Sequence, residues 1–130
     1  MIQIDWKSGV PAYEQIVDSI IKLIAAKAFK EGDKLPSVRS LACKMGINPN
    51  TVQKAYIILE ARGITYSVKG KGIFIAENAG AYKQIQADAI QKIKEAITYA
   101  ELVGVAKNEI NASIKSMLEE DEYDISTKPE

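Results

Sequence analysis

From Pro11 to about Ala28, the apolar residues Tyr13, Ile16, Val17, Ile20, Ile21 and Ile24 recur at helical spacing. That period marks an α-helix with one broad buried face. Pro11 suits its first turn, where a missing N–H has no helical partner to lose. The following "KEGDKLP" reads as a turn: Gly32 and Asp33 permit the bend, and Pro36 disfavours a helical residue before it. A second, short helix is expected over "VRSLACKM", with Ser37 as its N-cap, Val38, Leu41, Ala42 and Met45 as its apolar stripe, and Gly46 just beyond its end. Asn48 then caps a third helix, Pro49 takes its first position and Gly63 ends it. Val52, Ala55, Tyr56 and Leu59 share the inner face of that third helix.

The pattern changes period after Gly63. "ITYS" and "IFIA" flank the glycine-rich "VKGKG", which is the signature of a β-hairpin. Ile64, Tyr66, Ile73 and Ile75 are its expected core-facing set. Lys69 and Lys71 stand at the tip, beside Gly70 and Gly72. Helical spacing returns from about Ala79, with Ile85, Ala89, Ile93, Ala96, Ile97 and Ala100 along one side until Gly104. A shorter helix follows through Ile110, Ile114, Met117 and Leu118, and "DEYDISTKPE" reads as a frayed acidic end.

Two short helices joined by a glycine-containing turn and followed by a hairpin form a winged helix. The expected fold is therefore mainly α with a small β-hairpin (α+β). Residues 1–77 are expected to be a winged helix-turn-helix, and residues 78–130 a C-terminal two-helix dimerisation hairpin. A lone helical hairpin cannot bury all of an apolar stripe, so Ile85, Ala89, Ile93, Ile97, Ile110, Ile114, Met117 and Leu118 are expected to meet a second copy.

The outer face of the third helix needs a separate account. It carries Asn50, Gln53 and Lys54, with Thr51 at its edge and Ile57 one turn on, rather than the Glu and Lys pairs of an ordinary solvated helix. Asn and Gln bond adenine edges bidentately, Thr offers a methyl to thymine or a hydroxyl to phosphate, and Lys reaches guanine or phosphate. Asn48 serves equally as a cap or as a phosphate contact.

Charge points the same way. Net neutrality conceals +4 over residues 1–78 and −4 over 79–130, and residues 34–76 hold seven cations against one anion, Glu60. Such a map suits a chain that meets a polyanion with one part only. Arg39, early in the second helix, stands where that helix would cross a sugar-phosphate chain; Lys69, Gly70 and Lys71 suit a phosphate track or minor groove.

Enzymatic chemistry has little to work with. There is no histidine, and neither a phosphate loop nor a metal-ligand spacing occurs. Cys43, the only cysteine, lies in an apolar-periodic segment and is expected to be buried. No cofactor or metal is expected. The N-terminal "MIQIDWKSG" lacks a signal-peptide pattern, and no apolar run approaches the roughly 20 residues that span a bilayer. A cytoplasmic location without membrane association is expected.

"KLPSVRSLACKMGINPNTVQKAYIILEARGITYSVKGKGIFI" resembles the DNA-binding domain of the GntR family of bacterial transcription regulators, the likeness running from about Pro11 to Ala76. The short helical tail is similar to that of the YtrA-like subfamily, in which such tails build a homodimer. The resemblance implies operator contact by Arg39, by Asn48, Asn50, Thr51 and Gln53 of the recognition helix, and by Lys69 and Gly70 of the wing. Ser40 stands where the family often has Glu, and Pro49 and Gln53 where several relatives place arginine. Base preference elsewhere in the family is thus a poor guide to this operator. The expected function is a homodimeric, sequence-specific DNA-binding regulator, most simply a repressor on an inverted-repeat operator of double-stranded DNA, with recognition helix 48–61 and wing 64–76. The alternative is a winged-helix protein-interaction or RNA-binding module, which the expected burial of Tyr66 disfavours. Operator sequence and effector are not legible.

Overall fold

The computed structural model of the chain describes residues 2–77 and 79–127. Its elements are, in order, α1 (Ala12–Ala25), α2 (Val38–Met45), α3 (Pro49–Ala61), β1 (Thr65–Val68), β2 (Gly72–Ile75), α4 (Ala79–Leu102) and α5 (Lys107–Thr127). The chain divides into two compact units, Met1–Lys83 and Gln84–Glu130.

The first unit is built around α3, which packs on α1 and α2 and touches β1. Ile16, Val17 and Ile20 of α1, Leu41 and Ala42 of α2, and Val52, Ala55, Tyr56 and Leu59 of α3 are buried together with Leu35, Ile64 and Ile75. Each large aliphatic side chain so buried stabilises the fold by about 1.5–3 kcal/mol. Tyr56 also donates its hydroxyl to the Pro36 carbonyl at 2.7 Å, linking α3 to the segment ahead of α2. Burial pushes its phenol up to about 12, so it stays a neutral donor at any ordinary pH.

Local chemistry sets the helix ends. α1 stops at Ala25, earlier than the apolar spacing implied, because Lys27 adopts a left-handed conformation (φ 62°). The Ala28 and Lys27 N–H groups then bond the Leu23 and Ile24 carbonyls, closing a Schellman motif without glycine. Between α2 and α3, Gly46 (φ 67°) makes the same reversal, and Ile47 N–H reaches Ala42 O at 3.0 Å. Cys43 is exposed, contrary to expectation. It lies about 200° round the helix from Leu41, outside the arc that Leu41 and Ala42 bury.

β1 and β2 are antiparallel, with Thr65 opposite Ile75, Tyr66 opposite Phe74, Ser67 opposite Ile73 and Val68 opposite Gly72. This register corrects the expected core set. Thr65 and Ile75 face inward, whereas Tyr66 is 44% exposed and stacks on Phe74 with ring centroids 5.7 Å apart. Ile73 is half-buried. A slip of one residue exchanges the two faces of a strand; Ile64 and Thr65 are buried in succession, so the alternation that leaves Tyr66 outside starts at Thr65 and not at Ile64. The "KEGDKLP" stretch also does more than turn: Lys34 bridges to Phe74, and Leu35 N–H and Gly32 N–H reach the Ile73 and Ile75 carbonyls at 2.8 Å.

In the second unit, Gly104 (φ 94°) ends α4, and Val105 N–H bonds Ala100 O at 2.9 Å. α5 runs on to Thr127 through residues expected to fray, since no glycine or proline interrupts the chain between Gly104 and Pro129. Residues 128–130 of that expected frayed end lie outside the described residues. Among the described residues, no helix is long and apolar enough to cross a membrane.

The Thr65 hydroxyl is buried with no hydrogen-bond partner among the described residues. An unpaired buried hydroxyl costs about 1–3 kcal/mol. Thr65→Val keeps the β-branched shape and removes that group, so urea denaturation should show a gain of about 1 kcal/mol. A loss of stability would mean that the hydroxyl is bonded in solution.

Candidate nucleic-acid interface

Three local devices present the outer face of α3. Ser37 caps α2 by accepting from Ser40 N–H at 3.1 Å, Gly46 reverses the chain, and Asn48 caps α3 by accepting from Asn50 N–H at 2.8 Å. The cap uses only the oxygen of Asn48 and leaves its amide nitrogen free to donate outward, so capping and phosphate contact are compatible. With Val52, Ala55, Tyr56 and Leu59 turned in, Asn50, Gln53 and Lys54 are exposed and Thr51 is half-buried. Ile57 is 56% exposed and offers a methyl-bearing surface one turn further along.

Lys54 departs from the outward pose expected of it. Its Nζ lies 3.9 Å from the centroid of the Tyr13 ring on α1. At an exposed site such a contact contributes about 0.5–1 kcal/mol. That is weak enough for a phosphate to draw the ammonium away. The spacing within α3 carries no sign of this partner, because Tyr13 comes from another helix.

Arg39 sits in the first turn of α2 and is exposed. A surface ion pair is not what holds it: among the described residues the ion pair found is Lys107–Glu101, at 4.0 Å in the second unit. The hairpin tip is Lys69-Gly70-Lys71, all exposed, with Lys71 N–H bonded to Val68 O at 2.9 Å and Gly70 at φ 78°. A positive φ at this third position is what a type II turn requires, and it is why glycine stands there.

Glu60 was counted in the sequence only as the lone anion of residues 34–76. In the structure its carboxylate accepts the Ser67 N–H at 3.0 Å. The carboxylate thus ties the end of α3 to β1 and sets the wing beside the recognition helix. No local motif announces this bond, although a single acid in so basic a stretch is itself a signal.

The structure therefore groups Arg39, Asn48, Asn50, Thr51, Gln53, Lys54, Lys69, Gly70 and Lys71 within the first unit. The residues expected to pair two copies lie on α4 and α5 of the second. There Ile85, Ile97, Ile110 and Ile114 are half-buried, and Ala89, Ile93, Met117 and Leu118 are exposed. Among the described residues, no group of three or more metal-ligating side chains converges.

Known proteins match this arrangement. The family model for bacterial regulatory proteins of the gntR family covers residues 12–75. The HTH-type transcriptional repressor YtrA of Bacillus subtilis (strain 168) is 41% identical, over 90% of this chain and 92% of its own length. The crystal structure of a transcriptional antiterminator from Listeria monocytogenes EGD-e superposes with a TM-score of 0.73 at 38% identity, covering 90% of this chain and 89% of that one. AraR(DBD) in complex with operator ORE1 matches with a TM-score of 0.50 at 28% identity, over 58% of this chain and 93% of that one. With its capped recognition helix, lysine-tipped wing and near full-length relatives, the chain belongs to the gntR family of bacterial regulatory proteins.

Proposed function

We propose that this regulator acts as a cytoplasmic homodimeric repressor, each copy reading one half of an inverted-repeat operator in double-stranded DNA. The observation that carries the reading is the outer face of α3. Asn50 and Gln53 stand exposed there beside a wing tipped by Lys69 and Lys71, while the one acid of the region is engaged with backbone. In this reading Asn50, Thr51 and Gln53 meet base edges in the major groove. Arg39, Asn48, Lys54, Lys69, Gly70 and Lys71 follow the phosphates. The complex of AraR(DBD) with its operator supports a duplex partner, and the naming of YtrA as a repressor supports the direction of control.

Pairing of two copies is supported by the second unit. None of its side chains described through Glu120 is buried, and Ile93 and Met117 are 53% and 61% exposed. Helices of this length rarely hold together in water without a buried stripe. A two-fold dimer matches an inverted repeat, because each copy meets an equivalent half-site.

A second reading gains one observation. Tyr66, expected in the core, stands exposed on the wing, and exposed aromatics stack on unpaired bases. The likeness to an antiterminator is compatible with that alternative. Competition between duplex and single-stranded oligonucleotides separates the two: preference for single strands rejects the operator reading.

Fragments selected from random duplex DNA supply the probe for the mutants. Gln53→Ala should lose about 1–3 kcal/mol at one base position and relax choice there, whereas Lys71→Ala should weaken all sequences alike and flatten the salt dependence. Equal losses on every sequence for both variants would remove Gln53 from base readout. Ile93→Asp is expected to shift sedimentation from dimer to monomer and to lower operator affinity at least tenfold. An unaltered dimer would place the pairing surface elsewhere.

A further inference from the structure

Lys34 lies far from the hairpin in sequence, in a stretch that reads as a turn. The structure brings it to the wing. Its backbone bridges to Phe74, with Leu35 N–H bonded to Ile73 O at 2.8 Å and Ile75 N–H to Asp33 O at 2.9 Å, so residues 33–35 run along the free edge of β2. Paired positions across antiparallel strands share a face. Lys34, Phe74 and Tyr66 therefore form a row across one face of the wing. From that row the Lys34 side chain passes over Gly72. A Cβ added at Gly72 would lie 2.7 Å from Lys34 Cε and 3.5 Å from its Nζ. Gly72 leaves the path open, and the ammonium arrives beside the residue that follows Lys71.

Three facts bear on what the ammonium does there. Lys34 is exposed, it has no carboxylate partner among the described residues, and it adds a third cation to a tip that already holds Lys69 and Lys71. An ammonium with three unshared donors suits a phosphate oxygen. We propose that Lys34 is a third wing cation that contacts the nucleic-acid phosphate backbone, with Gly72 as the gap through which its side chain reaches. This rests on the duplex-DNA reading above and adds a residue to it. The bland competitor is a lysine whose aliphatic stem merely covers the sheet while its charge stays in water.

Lys34→Met separates the two, because it keeps the stem and removes the charge. The measurement is operator affinity across a salt series, for wild type, Lys34→Met and Lys34→Arg, with thermal melting of each free protein as the control for folding. For Lys34→Met the slope of log K against log salt should shrink by about 0.9 for each bound copy, with an unchanged melting temperature. Lys34→Arg should keep the wild-type slope. A wild-type slope in Lys34→Met overturns the proposal and leaves the DNA reading intact. A wild-type protein indifferent to both salt and sequence overturns the DNA reading and this proposal with it.

Discussion

The rotation of α3 about its own axis is the constraint on which the rest of the first unit depends. Val52, Ala55, Tyr56 and Leu59 must all reach one core from a single helix, and each is buried. A helix has one angular degree of freedom, so burying that stripe leaves no choice about what faces out. Asn50, Gln53 and Ile57 are exposed as a geometric consequence. The Tyr56 bond to Pro36 reinforces the same rotation, because a hydrogen bond tolerates less rotation than an apolar contact does. The recognition surface is thus oriented by its opposite side.

The wing depends on the same helix through a different interaction. Glu60 lies on an exposed side of α3, and its carboxylate reaches the Ser67 N–H. A charged acceptor makes a stronger bond than a neutral one, so this contact adds a tether from α3 to β1 beside the backbone bonds that already hold the hairpin. The bond engages the one acid of residues 34–76 with backbone rather than with a neighbouring lysine or arginine. Lys54 resting on Tyr13 shows the complementary arrangement, a cation held by a ring rather than neutralised by an acid. Neither Glu60 nor Lys54 is held by a charge of opposite sign.

The second unit follows another logic. Gly104 ends α4, yet the apolar side chains described on α4 and α5 are half-buried or exposed. The first unit closes its core within one chain. In the second, the amphipathic pattern is complete and its burial is not.

Much of this was legible in the residues themselves. Ser37, Gly46, Asn48, Gly63 and Gly104 act through bonds that span about one helical turn, and Pro49 through its fixed φ, so their effect is written locally. The buried stripe of α3 and the amide face opposite it follow from the same short period. Other features needed partners far along the chain. Which strand residue faces the core depended on where the alternation starts: Ile64 and Thr65 are both buried, so Tyr66 falls outside. Cys43 lay beyond an arc whose width only the neighbouring helices define. The run of residues 33–35 along β2, the Glu60 tether and the seat of Lys54 join residues that no local pattern relates. Periodicity and capping determined the elements and their faces, because those forces act within a turn or two. Register, pairing and the final poses of the charges were left to the tertiary structure, because they depend on which surfaces meet.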